Sequence, residues 1–162
     1  MQRSLVCTIL TAVAIPAASL WAAPPVPSTS GQYANQIAYE ASRVQAAADG
    51  LEGYVRSGAN GRSALVYAQD MATSANKLAS LADRVAAQQG LAGEARAQAE
   101  KMKVQAAGLR AMVAGTASEL KPSAFSAETG IKNADTILAD TANIENRSNA
   151  LRNAAQSFSG VN

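Results

Sequence analysis

Apolar residues recur at alternating spacings of four and three in four separate stretches of this sequence. The first stretch contains Ile37, Ala41, Val44, Ala48, Leu51 and Val55. The pattern returns at Ala68, Met71, Ala75, Leu78, Ala82 and Val85, and again at Ala95, Ala99, Met102, Ala106, Leu109 and Val113. The fourth stretch contains Ala134, Ile137, Thr141, Ile144, Ser148, Leu151, Ala155 and Phe158. Such sustained heptads predict helices that pack side by side along narrow seams.

Within each heptad one seam position is mostly large and the other is mostly small. Small residues let two helix backbones approach closely, at the short end of the usual interaxial range of about 8–10 Å. No stretch alternates with period two, so no strand is predicted. We therefore predict an all-α fold: an antiparallel four-helix bundle with Ala-rich seams over residues 33–158. The predicted helices cover about 34–56, 64–89, 93–117 and 123–158.

Glycine and proline place the connections between these helices. Gly90 suits a left-handed position after the second helix, and Asn60 with Gly61 marks a loop before it, with Ser63 as a candidate helix cap. Pro122 leaves two alternatives open. The chain either turns there between the third and fourth helices or continues as one kinked helix.

Residues 1–22 are typical of a secretory signal peptide. Arg3 precedes a short apolar core that Pro16 ends, and small residues follow. We predict cleavage after Ala22, with cleavage after Ser19 and a buried N-terminal helix as the alternatives. Residues 23–32 are rich in Pro and Ser and predict a flexible tether, and residues 159–162 predict a disordered tail. No later apolar run is long enough to cross a membrane, so the mature chain is expected to be periplasmic or secreted.

Composition excludes several kinds of chemistry. The chain has no His, one Cys, and a net charge of +2, which argues against metal sites, an internal disulfide and nucleic-acid binding. No acidic residue falls on a seam position, so we expect solvated ion pairs such as Glu40 with Arg43 and Glu100 with Lys103. We predict no enzyme activity, no cofactor and no metal site.

One motif nevertheless resembles a catalytic spacing. Ser74 and Lys77 match the S-x-x-K pattern of acylating penicillin-interacting enzymes, but the companion S-D-N and K-T-G motifs are absent. Helical spacing predicts that both side chains lie on an outer face of the second helix.

Tyrosines supply the candidate contact site. Tyr39, Tyr54 and Tyr67 lie around the first helix pair and predict a partner-contact patch, with covering of the bundle end as the alternative. Thr141 and Ser148 are polar seam residues that either bond their own helix or mark a register. The expected function is an exported, non-enzymatic interaction or structural module of the periplasm or cell envelope. It would bind a protein partner or itself through helix faces; the alternative is a chaperone-like or apolar-ligand-binding bundle.

Overall fold

Four helices pack against each other to form the fold. The computed structural model describes residues 28–58, 62–120, 125–126, 130–131 and 133–159. In chain order the elements are α1 (Ser28–Arg56), α2 (Arg62–Ala86), α3 (Gly93–Glu119), β1 (Phe125–Ser126), β2 (Gly130–Ile131) and α4 (Ala134–Ser159). None of the helices in these ranges is long and apolar enough to cross a membrane.

Side-chain pairs show that neighbouring helices are antiparallel. Between α1 and α2, Glu40 contacts Lys77 whereas the later residue Gly50 contacts the earlier Tyr67. Between α3 and α4, Thr116 Oγ1 lies 3.4 Å from Asp140 Oδ2, and Glu119 accepts a hydrogen bond from the earlier residue Asn133.

The fourth helix closes the bundle against the first. Gln45 of α1 accepts a hydrogen bond of 3.3 Å from Arg152 of α4, while Glu52, later in α1, neighbours Glu145, earlier in α4. The helices therefore run up, down, up and down, with α4 returning beside α1.

The predicted heptad seams form the core. Every seam residue named from the sequence is buried except Ala95 and Ala134, which are partly buried at helix starts. The largest fully buried seam side chains are Ile37, Leu51, Met71, Leu78, Met102, Leu109, Ile137, Ile144, Leu151 and Phe158. The seam prediction is confirmed because the large and the small seam residues are buried together in one core cluster.

The buried faces differ in width between helices. Helix α2 also buries Ala79, Leu81 and Ala86 beside its seam, so its apolar face is wider than the sequence pattern predicts. Helix α3 buries only one narrow line: Ala99, Met102, Ala106, Leu109, Val113 and Thr116. Helix α4 likewise buries its seam alone, so both α3 and α4 have little buried apolar area beyond their seams.

Helix α1 begins earlier than the sequence suggests. Ser28–Arg56 is one continuous helix, so α1 begins inside the segment 23–32 that the sequence predicts as a tether. Ser and Gly are weak helix formers, but Ser30 and Gly31 are buried, and tertiary packing overrides intrinsic propensity. The predicted signal peptide, the first part of the tether and residues 160–162 lie outside the described residues.

The connection between α3 and α4 corrects a second prediction. Helix α4 begins at Ala134, not at 123, and Phe125 and Ser126 pair antiparallel with Ile131 and Gly130. The kinked continuous helix and the absence of any strand are both wrong. Two-residue strands are too short to show a period of two, which is why the sequence pattern misses them. Pro122 itself lies outside the described residues.

The other helix ends shift by a few residues. Helix α2 ends at Ala86 rather than 89, and Gly90 has the predicted left-handed φ of +91° in the turn that follows. Ser63 does not have the position of the predicted helix cap, because α2 begins at Arg62 and Ser63 lies inside it. Helix α4 includes Ser159, so the predicted tail is one residue shorter at its start.

Candidate functional site

A groove on the bundle surface lies between α1 and α2. Its volume is about 250 Å³. The groove is lined by Arg43, Ala46, Ala47, Tyr67, Asp70 and Ser74.

Ser74 is the buried polar residue of the groove. It is 1% exposed, and its Oγ has no hydrogen-bond partner among the described residues. The prediction that Ser74 lies on an outer face is therefore wrong. Position 74 directly precedes the seam residue Ala75 on α2. A buried hydroxyl without a partner retains its desolvation cost.

An ion pair crosses the helix interface next to the groove. Lys77 Nζ lies 2.5 Å from Glu40 Oε1, and Arg43 lies 3.7 Å from Glu40 Oε2. The predicted pair of Glu40 with Arg43 is present, but the Glu40 side chain is 1% exposed, so the prediction that the pair is solvated is wrong. Glu40 directly precedes the seam residue Ala41, and the packing of α2 against α1 encloses it. Glu40 Oε2 makes no hydrogen bond within the described part of the chain.

A second predicted ion pair has a different partner. Lys103 of α3 lies 3.7 Å from Asp83 of α2, rather than pairing along its own helix with Glu100. Both side chains are about half exposed or more. For Lys103, a contact between α2 and α3 thus replaces the contact expected within α3. Helical spacing alone does not predict contacts between helices.

The three candidate tyrosines do not form one patch. The ring centroids of Tyr54 and Tyr67 lie 6.3 Å apart, and both rings are partly buried against the core. Tyr39 is 62% exposed and precedes Tyr54 by fifteen residues on the same helix, a distance of about 22 Å at about 1.5 Å per residue. The partial burial of Tyr54 and Tyr67 fits the alternative that they cover the bundle, whereas Tyr39 lies exposed and apart from Tyr54.

Acidic residues gather on the opposite side of α1, where it meets α4. Burial, together with the neighbouring carboxylates of Asp49 and Glu52, raises the pKa of Glu145 from 4.5 to about 7. Glu52 is also held by Arg56 at 2.7 Å. Within the described ranges no group of three acidic, His or Cys side chains is arranged to hold a metal ion. This cluster is a pH-sensitive contact between two helices.

The groove is arranged for binding more than for covalent chemistry. A nucleophilic serine needs a base within hydrogen-bond reach, but Lys77 is held by Glu40, and the Ser74 hydroxyl donates to no described residue. Sequence reasoning missed Glu40 and Asp70 as parts of this surface. The available signal was their place beside seam positions, where helix packing buries part of a flanking side chain.

No protein-family model, curated protein or solved structure matches this chain. Its function is therefore inferred from the side chains of the bundle and of the groove between α1 and α2.

Proposed function

We propose that the chain is an exported, non-enzymatic interaction module that contacts a protein partner through the outer face of α1. Tyr39 carries this proposal because it is a large aromatic side chain, 62% exposed, that the core does not use. Arg43 follows it one helical turn later, and its side chain is 46% exposed. Tyrosine and arginine are enriched among residues that dominate protein–protein binding energy.

Export rests on a separate feature, the signal-peptide pattern of residues 1–22. N-terminal mass analysis of the chain from an extracytoplasmic fraction tests it. A mature terminus at Ala23 supports export to the periplasm or cell surface. An intact Met1 in the cytoplasmic fraction contradicts it.

The partner contact is tested by comparing two exposed apolar residues. Tyr39→Ala removes the proposed contact, and Val104→Ala on α3 removes a side chain that is 71% exposed on another helix. Both variants should keep the unfolding midpoint of the natural chain. Lysine cross-linking in the native fraction measures the yield of product with the partner or with a second copy of the chain. Tyr39→Ala should lower this yield by about tenfold, and Val104→Ala should leave it unchanged. Equal cross-linking yields for the two variants would contradict the assignment of the contact to α1.

A chaperone-like function is the second candidate, and the narrow buried lines of the facing helices α3 and α4 favour it. Thr116 lies on the line of α3, and α4 buries Thr141 and Ser148 in its seam. Release of α3 would expose Met102, Leu109 and the apolar residues of α4 to a client. Amide hydrogen exchange decides between the two candidates. Opening predicts α3 amides that exchange much faster than those of α1, together with binding of an apolar dye in the native state.

A further inference from the structure

The outer face of α1 has a large side chain and an open position at equal distances from its middle. Tyr39 is 62% exposed, and the exposed residues Ala46 and Gly53 follow it at intervals of seven residues. Seven residues are close to two helical turns, so the three positions share one face, with about 21 Å between Tyr39 and Gly53. A Cβ at Gly53 would meet no atom within 4 Å. The face thus has a bulky ring on one side of Ala46 and empty space on the other.

Two opposite charges flank the same stretch of α1 without neutralising each other. Arg43 and Asp70 line the groove beside Ala46, and both are exposed. No ion pair joins them within the described ranges, and Asp70 has no ion pair with any other residue there. The contact of Glu40 with Lys77 sets the register of α1 and α2. In that register Asp70 lies about one residue beyond the level of Ala46, on the side away from Arg43.

A second copy of the chain is complementary to this face. When two α1 helices pack antiparallel about a two-fold axis at Ala46, each position before the axis lies opposite the position equally far beyond it. The Tyr39 ring of one copy then lies over Gly53 of the other. Arg43 of one copy comes level, to within about 3 Å along the helix axis, with Asp70 of the other. The methyl group of Ala46 at the centre allows the two backbones to approach closely.

The opposite orientation does not match. In a parallel pair of α1 helices, like positions meet across the two-fold axis. Arg43 would then face its own counterpart, and like charges placed together at an interface are unfavourable. Tyr39 would also face its counterpart, while the space over Gly53 would stay empty. Both the charges and the shape of the face therefore favour the antiparallel pair.

We propose that the chain forms a two-fold dimer through the outer face of α1, with the two α1 helices antiparallel. The dimer rests on the partner contact proposed above for this helix and identifies the partner as a second copy of the chain. Tyr39 of each copy packs over Gly53 of the other. Arg43 of each copy forms an ion pair with Asp70 of the other, so every contact occurs twice.

Sedimentation equilibrium of the purified full chain tests the dimer. Dimers are expected at chain concentrations of roughly 100 µM. Tyr39→Ala should weaken the dimer by at least about tenfold, whereas Val104→Ala, at an exposed apolar residue of α3, should leave it unchanged. A natural chain that is monomeric at roughly 100 µM overturns the proposal, and so do equal dimer affinities of the two variants.

An exchange of charges tests the antiparallel arrangement. Asp70→Arg places two cations together across the interface and should weaken the dimer by at least about tenfold. Adding Arg43→Asp to that variant should restore the affinity, because each copy again presents one charge of each sign. Asp83→Arg, at an exposed position nearer the end of α2, is the control and should leave the dimer unchanged. A double variant that dimerises no better than Asp70→Arg overturns the ion pair and the arrangement that depends on it.

Two glycine variants test the position of the Tyr39 ring without changing any charge. Gly53→Leu fills the space that the ring of the second copy occupies, and it should weaken the dimer by at least about tenfold. Gly115→Leu on α3 is the matched control, because Gly115 is also exposed and a Cβ there also meets no atom within 4 Å. Both chains should stay folded. Equal dimer affinities of the two variants overturn the proposal.

The dimer and the partner contact proposed for α1 fail in different ways. A monomeric purified chain that still loses its cross-linked product with Tyr39→Ala in the native fraction has a different protein as its partner, and this result overturns the dimer alone. A dimer that Tyr39→Ala does not weaken contradicts the use of the α1 face in both proposals.

Discussion

Lys77 Nζ lies 2.5 Å from Glu40 Oε1, and this ion pair joins α1 to α2 across the edge of their seam. The two partners differ in environment, because the Glu40 side chain is 1% exposed and that of Lys77 is 58% exposed. The lysine stem covers the interface while its ammonium group reaches the buried carboxylate. A charge so deeply enclosed depends on its partner, since the desolvation of an unpaired carboxylate is costly.

Lys77→Met should destabilise the fold by roughly 1–3 kcal/mol, less than for a fully enclosed pair because Arg43 and solvent still reach Glu40. Lys101→Met is the matched control: Lys101 lies exposed on α3 and has no ion pair among the described residues. Its effect should stay within about 0.5 kcal/mol. Urea unfolding of both variants measures the difference. Equal stabilities of the Lys77→Met and Lys101→Met variants would show that the ion pair with Lys77 does not stabilise the buried Glu40 carboxylate.

Gly50 and Gly53 give opposite predictions for the same substitution. A Cβ at Gly50 would lie 2.7 Å from Tyr67 Cδ1, whereas one at Gly53 would meet no atom within 4 Å. Gly53→Ala should stabilise α1 by about 0.5–1 kcal/mol through helix propensity. Gly50→Ala should lose about 1 kcal/mol or more, because the ring must move. Thermal unfolding of the two variants tests the close approach of the Tyr67 ring to Gly50. A Gly50→Ala variant more stable than the natural chain would show that this approach is absent.

Glu145 should make the stability of the bundle fall as the pH rises. Its pKa is about 7 in the fold and 4.5 when unperturbed, so the folded state holds the proton more tightly. Below about pH 4.5 both states are protonated and the stabilisation is complete; it is lost as the pH rises through about 7. The loss should be on the order of 1–2 kcal/mol after solvent screening.

Glu145→Gln should remove this loss, so the variant should exceed the natural chain in stability at about pH 8 and match it more closely at about pH 5. Glu100→Gln, on an exposed position of α3, serves as the control and should keep the pH dependence of the natural chain. Urea unfolding at the two pH values supplies the comparison. If the stability of both variants depended on pH in the same way, a group other than Glu145 would be responsible for the loss.

Ser148→Ala should stabilise the fold by about 1 kcal/mol. The Ser148 hydroxyl is buried on the α4 seam without a described partner, so its removal ends a desolvation cost. Thr141 on the same seam differs, because its hydroxyl donates to Leu138 O at 2.9 Å. Thr141→Ala should therefore not stabilise the fold. Differential scanning calorimetry measures both; a destabilised Ser148→Ala would indicate that its hydroxyl has a partner.

The sequence pattern was sufficient to predict the seam residues of the core, but not Ala79, Leu81 and Ala86, which are buried beside the seam of α2. Residues as far apart as Ile37 and Phe158 are buried as their heptad positions predict. The start of α1 at Ser28 was not predictable, because its first turn depends on burial of Ser30 and Gly31 against other helices. Likewise, the pairing of Phe125 with Ile131 belongs to strands of two residues, which are too short to carry a periodic signal.

The groove was harder to predict than the core. Arg43 and Ser74 are thirty-one residues apart, and only the register between α1 and α2 brings them together. The heptad pattern predicts that these helices pack together but does not determine their axial position relative to each other. That position is visible only in pairs such as Glu40 with Lys77 and Gly50 with Tyr67. The separation of Tyr39 from Tyr54, in contrast, follows from their spacing of fifteen residues on one helix.

The packing of small residues on the seams is tested by a single pair of neighbours in α3. Ala106 is 0% exposed on the seam, and Ala107 beside it is exposed. Leucine at either position has nearly the same helix propensity, so only packing distinguishes the two variants. Equilibrium unfolding in urea should show Ala106→Leu destabilised by about 1–3 kcal/mol and Ala107→Leu changed by less than about 0.5 kcal/mol. Equal stability of the two variants would show that Ala106 does not face another helix and would contradict the close-packed seam.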